Sequence, residues 1–208
     1  MNFYQDITLL SDSDIALGFL WQKLYQQVHI ALVDKKIGEN LSAVAVGFPE
    51  YGQRGFPLGR KLRLYAEEQS QLERVDVASY VERLSDYVHV KSIKPVPQAT
   101  GYVSFRRYHA KGQARIEKDE LNKAKRWAAK SGKPLEDCLL ALEKTRPEPE
   151  TGLPYIWMES QRAKKRDGSS ARKFPLFINM EEHERAKHGE LNCYGLSSPG
   201  APVGLPVF

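Results

Sequence analysis

Two residues far apart in the chain carry groups suited to acid–base or nucleophile-positioning chemistry. His29 stands next to Val28 at the margin of an apolar stripe. Histidine titrates near neutrality, so it is the usual general acid or base, although one at a helix margin can equally be structural. Ser160 follows Glu159 in the run Met158-Glu159-Ser160-Gln161. It is not in a GxSxG elbow, so a serine hydrolase is not indicated. A hydroxyl at a strand end can instead position a substrate hydroxyl. Tyr194 lies in the tail Asn192-Cys193-Tyr194-Gly195-Leu196-Ser197.

A second group of residues suits polyanion binding. Arg115, Lys118, Asn122, Lys125 and Arg126 recur at spacings of three and four, which is one side of a helix. Such a stripe can neutralise phosphates. It can also be a solvated face paired with Glu117, Asp119 and Glu120. Lys111 flanks it. The run Phe105-Arg106-Arg107-Tyr108-His109 precedes it. Arginine can grip a guanine edge through two parallel hydrogen bonds, and His109 could read a neighbouring base. Residues 162–173 add six basic side chains against one acid.

The charge balance agrees with that division. The net charge is +5 over 208 residues. Residues 1–100 hold 11 Lys/Arg and 12 Asp/Glu, whereas residues 101–208 hold 20 and 14. The positive field belongs to the second half, and nucleic acid is the leading partner for it. The two cysteines, Cys138 and Cys193, are distant and form no CxxC, which excludes a disulfide scaffold or a cysteine zinc module. There is no HExxH, HxH, P-loop or GxGxxG, so neither metal nor cofactor is expected. A reducing cytoplasm fits, with no membrane partner.

The elements that must carry these residues are legible as pattern. Residues 3–10 read as a strand, with N-cap chemistry at Ser11 to Asp14. From Ile15 to about Lys35, Leu17, Leu20, Trp21, Leu24, Val28, Ala31 and Leu32 keep helical spacing. Ala43 to Phe48 is β-rich, and Lys61 to Tyr65 alternates as a strand with one buried face. A less regular helix follows from Leu72 to Val88, then a strand within His89 to Val96. The order β-α-β-β-α-β is the ferredoxin-like plan, shared with RNA-recognition modules but without their base-stacking signatures.

Pro95, Pro97, Thr100 and Gly101 suggest a boundary. The expected fold is therefore α+β: a ferredoxin-like (RRM-like) domain over 1–98 and a basic C-terminal α/β RNA-binding region over 99–208. In the second region, Tyr102 to His109 reads as a strand and 113–130 as a helix stopped by Ser131-Gly132. Pro134 opens another helix, with Leu135, Cys138, Leu139 and Leu142 on one face. Tyr155 to Ser160 and Phe174 to Ile178 read as paired strands. His183 and His188 fall in a charged loop.

Taken together, Tyr4-Gln5-Asp6-Ile7, His29-Ile30-Ala31-Leu32-Val33, Val46-Gly47-Phe48-Pro49, Ser104 to Lys111, Met158 to Gln161, Phe174 to Ile178 and Cys193 to Ser197 resemble, in order, landmarks of the CRISPR-associated endoribonuclease of type I-F systems, the Csy-type branch of the Cas-six enzymes. That resemblance implies an enzyme that binds repeat hairpins in precursor crRNA and cuts at the stem base. It implies attack by the RNA's own 2′-hydroxyl without metal, and retention on the crRNA as a subunit of a guided complex. Carried over, His29 is the catalytic histidine, with Tyr25 competing for that position. Ser160 pins the 2′-hydroxyl, and Tyr194 shapes the site around the histidine. Phe174 stacks beneath the terminal base pair, Arg107 reads a guanine, and the helix from Arg115 to Arg126 enters the hairpin groove. The alternatives are a non-catalytic hairpin-binding subunit and a general RNA-binding protein.

Overall fold

The computed structural model describes residues 1–10, 12–53, 55–108, 113–143, 152–160 and 173–208, with side chains 113–120 and 143 left aside. The N-terminal half runs β1 (Phe3–Leu9), α1 (Leu17–Asp34), β2 (Ala45–Gly47), β3 (Lys61–Ala66), α2 (Gln69–Val75), α3 (Val77–Val81), a 3₁₀ turn (Glu82–Leu84), β4 (Val88–Val90) and β5 (Lys94–Pro95). The remaining elements are β6 (Gly101–Tyr108), α4 (Gln113–Ser131), α5 (Leu135–Glu143), β7 (Tyr155–Glu159), β8 (Lys173–His183) and β9 (Leu205–Val207).

The first sheet has the order β2-β3-β1-β4, with β5 also pairing with β1, and every pairing is antiparallel. This is the ferredoxin-like strand order, as the element order predicts. The second sheet, β7-β8-β6-β9, is antiparallel as well.

The chain forms two compact units. One comprises residues 1–108 and 154–208; the other is 109–153, inserted in sequence between β6 and β7. Both sheets belong to the larger unit, so residues 98 and 99 lie inside it, on the connection between the sheets. Phe105, Ile156, Met158, Leu176, Ile178 and Leu205 of the second sheet join the core that holds Ile7, Leu24, Val46 and Leu64 of the first half. In the smaller unit, α4 and α5 pair, burying Ala124 and Cys138. Gly132 follows α4 with φ +67°, the left-handed backbone that ends the helix.

Helix α1 forms because its apolar residues recur every three or four positions. Leu20, Trp21, Leu24, Tyr25, Val28, Ala31 and Leu32 are buried, and the Trp21 indole N–H donates to the Gly59 carbonyl at 2.8 Å. The helix starts later than the sequence suggests. Asp12 closes a turn by accepting from the N–H groups of Asp14 and Ile15 at 2.7 and 3.0 Å, and α1 begins after Ala16 without a side-chain cap. The region from Leu72 to Val88 likewise breaks into α2, α3 and the 3₁₀ turn, and Val88 opens β4.

Strand β3 corrects the expectation of one buried face. Leu62 and Leu64 are buried on one side, and Arg63 and Tyr65 on the other. Arg63 makes a paired contact with Asp6 (2.6 and 3.0 Å), and its guanidinium lies 4.2 Å from the Phe208 ring and 4.6 Å from the Tyr4 ring. Tyr65 donates to the Pro206 carbonyl at 3.0 Å. The C-terminal segment supplies this second cover, and a local alternation pattern cannot reveal it.

Candidate functional site

The site is built where α1, the tail loop and the second sheet meet. The tail turn comes first, because its geometry fixes the rest. The Asn192 side-chain oxygen accepts the Tyr194 N–H at 2.9 Å, and the Asn192 carbonyl accepts the Gly195 N–H at 2.8 Å. Gly195 has φ +72°, and a Cβ there would press on Cγ2 of Val46. Its carbonyl accepts the Val46 N–H at 2.8 Å, which hooks the tail onto β2. Ser197 donates its N–H to the Phe105 carbonyl at 2.8 Å, which ties the tail to β6.

This turn presents Tyr194 to α1. The His29 and Tyr194 rings are stacked, with centroids 4.2 Å apart and planes 4° from parallel. His29 Nδ1 is 2.8 Å from the Cys193 carbonyl oxygen. A carbonyl only accepts, so Nδ1 carries the proton and donates it. The neutral ring then holds its lone pair on Nε2. Burial holds the His29 pKa below the usual imidazole value; the hydrogen bond to Cys193 opposes the shift, and the Arg107 charge adds to it. The ring is therefore neutral at pH 7 and can accept a proton.

Tyr25, the competing candidate, lies beneath this pair. It is fully buried, and its hydroxyl donates to the Tyr194 carbonyl at 2.9 Å. Burial, with Tyr194 adding, pushes its pKa well above the ordinary tyrosine value, so the hydroxyl stays protonated and supports the tail.

Arg107 projects from β6 to the same place. Its guanidinium carbon is 5.4 Å from the Tyr194 ring and 5.2 Å from the Phe174 ring, spanning the two. Phe174 is on β8, opposite Met158 of β7. Ser160 directly follows β7 and is half-buried. His29, Tyr194, Arg107 and Phe174 thus form one chain of contacts, with Ser160 at the end of the strand alongside Phe174.

The other sequence candidates stand elsewhere. Arg106 points to the opposite face of β6 from Arg107, as alternation requires, and pairs with Glu181 at 2.6 Å. Asn122, Lys125 and Arg126 are exposed on α4, whose backbone also carries Arg115 and Lys118. His109, Lys111 and the basic residues 162–172 lie outside the described residues. His183 is not in a loop: it ends β8, with Nε2 2.8 Å from the Ser104 hydroxyl.

Sequence reasoning missed Gln26, a buried polar residue one turn before His29, and the Cys193 carbonyl. The first is signalled only by a polar residue on a buried stripe, the second by nothing local. Among the described residues, no group of three or more His, Cys, Asp or Glu is placed to hold a metal ion. None of their helices is long and apolar enough to cross a membrane. A groove of about 590 Å³, lined by residues such as Ile37, Leu41, Tyr102 and Leu191, shares no wall with the His29 cluster.

Fold and site define a ferredoxin-like α+β protein whose polar groups converge on one imidazole held by a C-terminal turn. The chain belongs to the family described as "CRISPR-associated protein (Cas_Csy4)", whose model matches residues 4–208. It is similar to the "CRISPR-associated endonuclease Cas6/Csy4" of Escherichia coli (strain UTI89 / UPEC), with 27% identity over 210 residues, covering 100% of each chain.

Proposed function

We propose that this protein is a metal-independent endoribonuclease that binds repeat hairpins in CRISPR transcripts and cuts at the stem base. The observation that carries the proposal is the His29 ring, whose Nδ1–H is committed to the Cys193 carbonyl, leaving Nε2 as a proton acceptor. Family membership and the relative named an endonuclease support the same reading.

In this reading the 2′-hydroxyl at the cut site gives its proton to His29 Nε2 as its oxygen attacks the adjacent phosphorus. The bond from phosphorus to the 5′-oxygen breaks, and that oxygen takes up a proton. The products are a 2′,3′-cyclic phosphate and a 5′-hydroxyl. A base of this kind contributes about 10²–10⁴-fold. Ser160 holds the 2′-hydroxyl in line with the breaking bond, the arrangement on which much of the remaining rate depends.

Tyr194 holds the imidazole plane by stacking. Phe174 supports the terminal base pair, and Arg107, spanning Phe174 and Tyr194, grips a guanine beside it. His109, Lys111 and the α4 stripe (Arg115, Lys118, Asn122, Lys125, Arg126) bind the stem. After cutting, the protein stays on the crRNA as a subunit of a type I-F guided complex.

The test uses the cognate repeat hairpin in EDTA, beside the same hairpin with one 2′-deoxy at the cut site. Cutting of the first with tight binding but no cutting of the second supports the proposal. Cutting of the deoxy hairpin, or a need for magnesium, refutes it. Binding of both without cutting identifies a hairpin-holding subunit.

A further inference from the structure

His29 and Ser160 come from different elements, so something must fix the spacing between α1 and the end of β7. Among the described residues, β7 is an edge strand paired only with β8. At its end, the helix supplies the partner that another strand would supply. The Glu159 N–H donates to the Gln26 side-chain oxygen at 2.9 Å. One turn earlier, Gln22 donates to the Glu159 carboxylate at 3.4 Å, a weaker contact. Lys173 of β8 approaches the same carboxylate at 3.9 Å.

The geometry assigns the Gln26 amide without ambiguity. A backbone N–H requires an acceptor, so Oε1 faces β7 and Nε2 faces away. Gln26 is only 9% exposed, and among the described residues its Nε2 has no hydrogen-bond partner. Leaving a buried donor without a partner is destabilising, a cost set against the one bond that Oε1 makes to β7. Gln26 also precedes His29 by three residues, on the same side of α1. Its bond therefore joins the helix face that carries the imidazole to the backbone of the residue just before the serine.

We propose that Gln26 is a positioning residue: by anchoring Glu159, it sets the distance between His29 and Ser160. This rests on the roles given above to those two residues. Misplacement of a reacting group by about 1 Å can cost on the order of 10²-fold in rate. Binding of the stem, which uses other surfaces, is untouched.

The test is a double-mutant cycle in single-turnover cleavage of the repeat hairpin, with affinity measured on the non-cleavable 2′-deoxy hairpin. Gln26→Met keeps the volume and removes the acceptor; Gln26→Leu serves the same comparison should the methionine variant fold poorly. The expected result is a rate lowered about 10- to 100-fold with affinity within about two-fold. In a Ser160→Ala background, the same substitution should have less than about a three-fold further effect, because the two residues act in series. Parent-like cleavage by the Gln26 variants overturns the inference alone. So do losses that multiply with those of Ser160→Ala, or an affinity loss as large as the rate loss. If the parent protein itself fails to cut, the functional reading falls and the inference falls with it.

Discussion

Replacing His29 with alanine separates the structural job of its ring from the chemical job proposed for it. The structural job is modest. The variant loses a hydrogen bond to the Cys193 carbonyl, worth about 1 kcal/mol net. It also loses the Tyr194 stack, worth about 0.5–1.5 kcal/mol. A chain of this length loses roughly 2–4 °C of thermal midpoint per kcal/mol, so the drop should be about 3–10 °C. The chemical job is larger. Removing a general base should slow cleavage by about 10²–10⁴-fold, which is about 2.7–5.4 kcal/mol of barrier. The assay is single-turnover cleavage at 25 °C in EDTA with protein in excess, beside binding of the 2′-deoxy hairpin. Affinity should stay within a few-fold. Tyr25→Phe, which removes a buried support for the tail, should slow cleavage by less than about ten-fold. Cleavage by His29→Ala within ten-fold of the parent, an affinity that falls in step with rate, or a larger effect from Tyr25→Phe would each rule out His29 as the general base.

Further expectations follow from the same contacts. Cleavage should rise with pH through an apparent pKa below 6.5 and be flat by pH 7, because burial and Arg107 lower the His29 pKa; Arg107→Met should move that limb upward, and a limb that stays put would contradict the assignment. The same shift is linked to stability: as pH falls below about 6.5 the unfolded chain protonates first, so the His29 contribution is complete above that pH and is lost down to the folded pKa. Melting curves of parent and His29→Gln across pH 5–8 would show it as a flatter acid limb in the variant. Gly195→Ala combines a left-handed φ with a Cβ against Val46, and should destabilise by about 2–4 kcal/mol while lowering cleavage, read by urea unfolding and activity together. Asp6→Asn or Arg63→Met leaves half of a buried ion pair and should cost about 3–5 kcal/mol, a midpoint drop of roughly 6–20 °C in calorimetry.

The sequence made much of this architecture legible, for identifiable reasons. Helix α1 announces itself because its buried residues keep helical spacing, and β7 and β8 because each is a short apolar, aromatic-rich run. Gly132 marks the end of α4 because few other residues adopt its backbone. What stayed hidden depends on partners distant in sequence. Arg63 reads as a solvent-facing residue until Phe208, Tyr4 and Asp6 close over it. His183 sits in a charged stretch that looks like a loop, yet β6 extends the ladder far enough to bring Ser104 to it. Asp12 has the chemistry of a helix cap but spends it on a turn two residues earlier. His29, Ser160, Tyr194, Arg107 and Phe174 were found through family resemblance, since no spacing rule links positions so far apart. The Cys193 carbonyl, which accepts from the His29 ring, carries no local signal, and Gln26 shows only as a polar residue on a buried stripe.

The imidazole tautomer is the point on which the proposed chemistry turns, and nitrogen-15 NMR of histidine-labelled protein bound to the 2′-deoxy hairpin reads it directly, with His29→Gln supplying the assignment. The His29 ring should be neutral at pH 7, protonated on Nδ1 with a bare Nε2, and should titrate below 6.5. A ring protonated on Nε2, or charged at pH 7, would contradict the proposed chemistry.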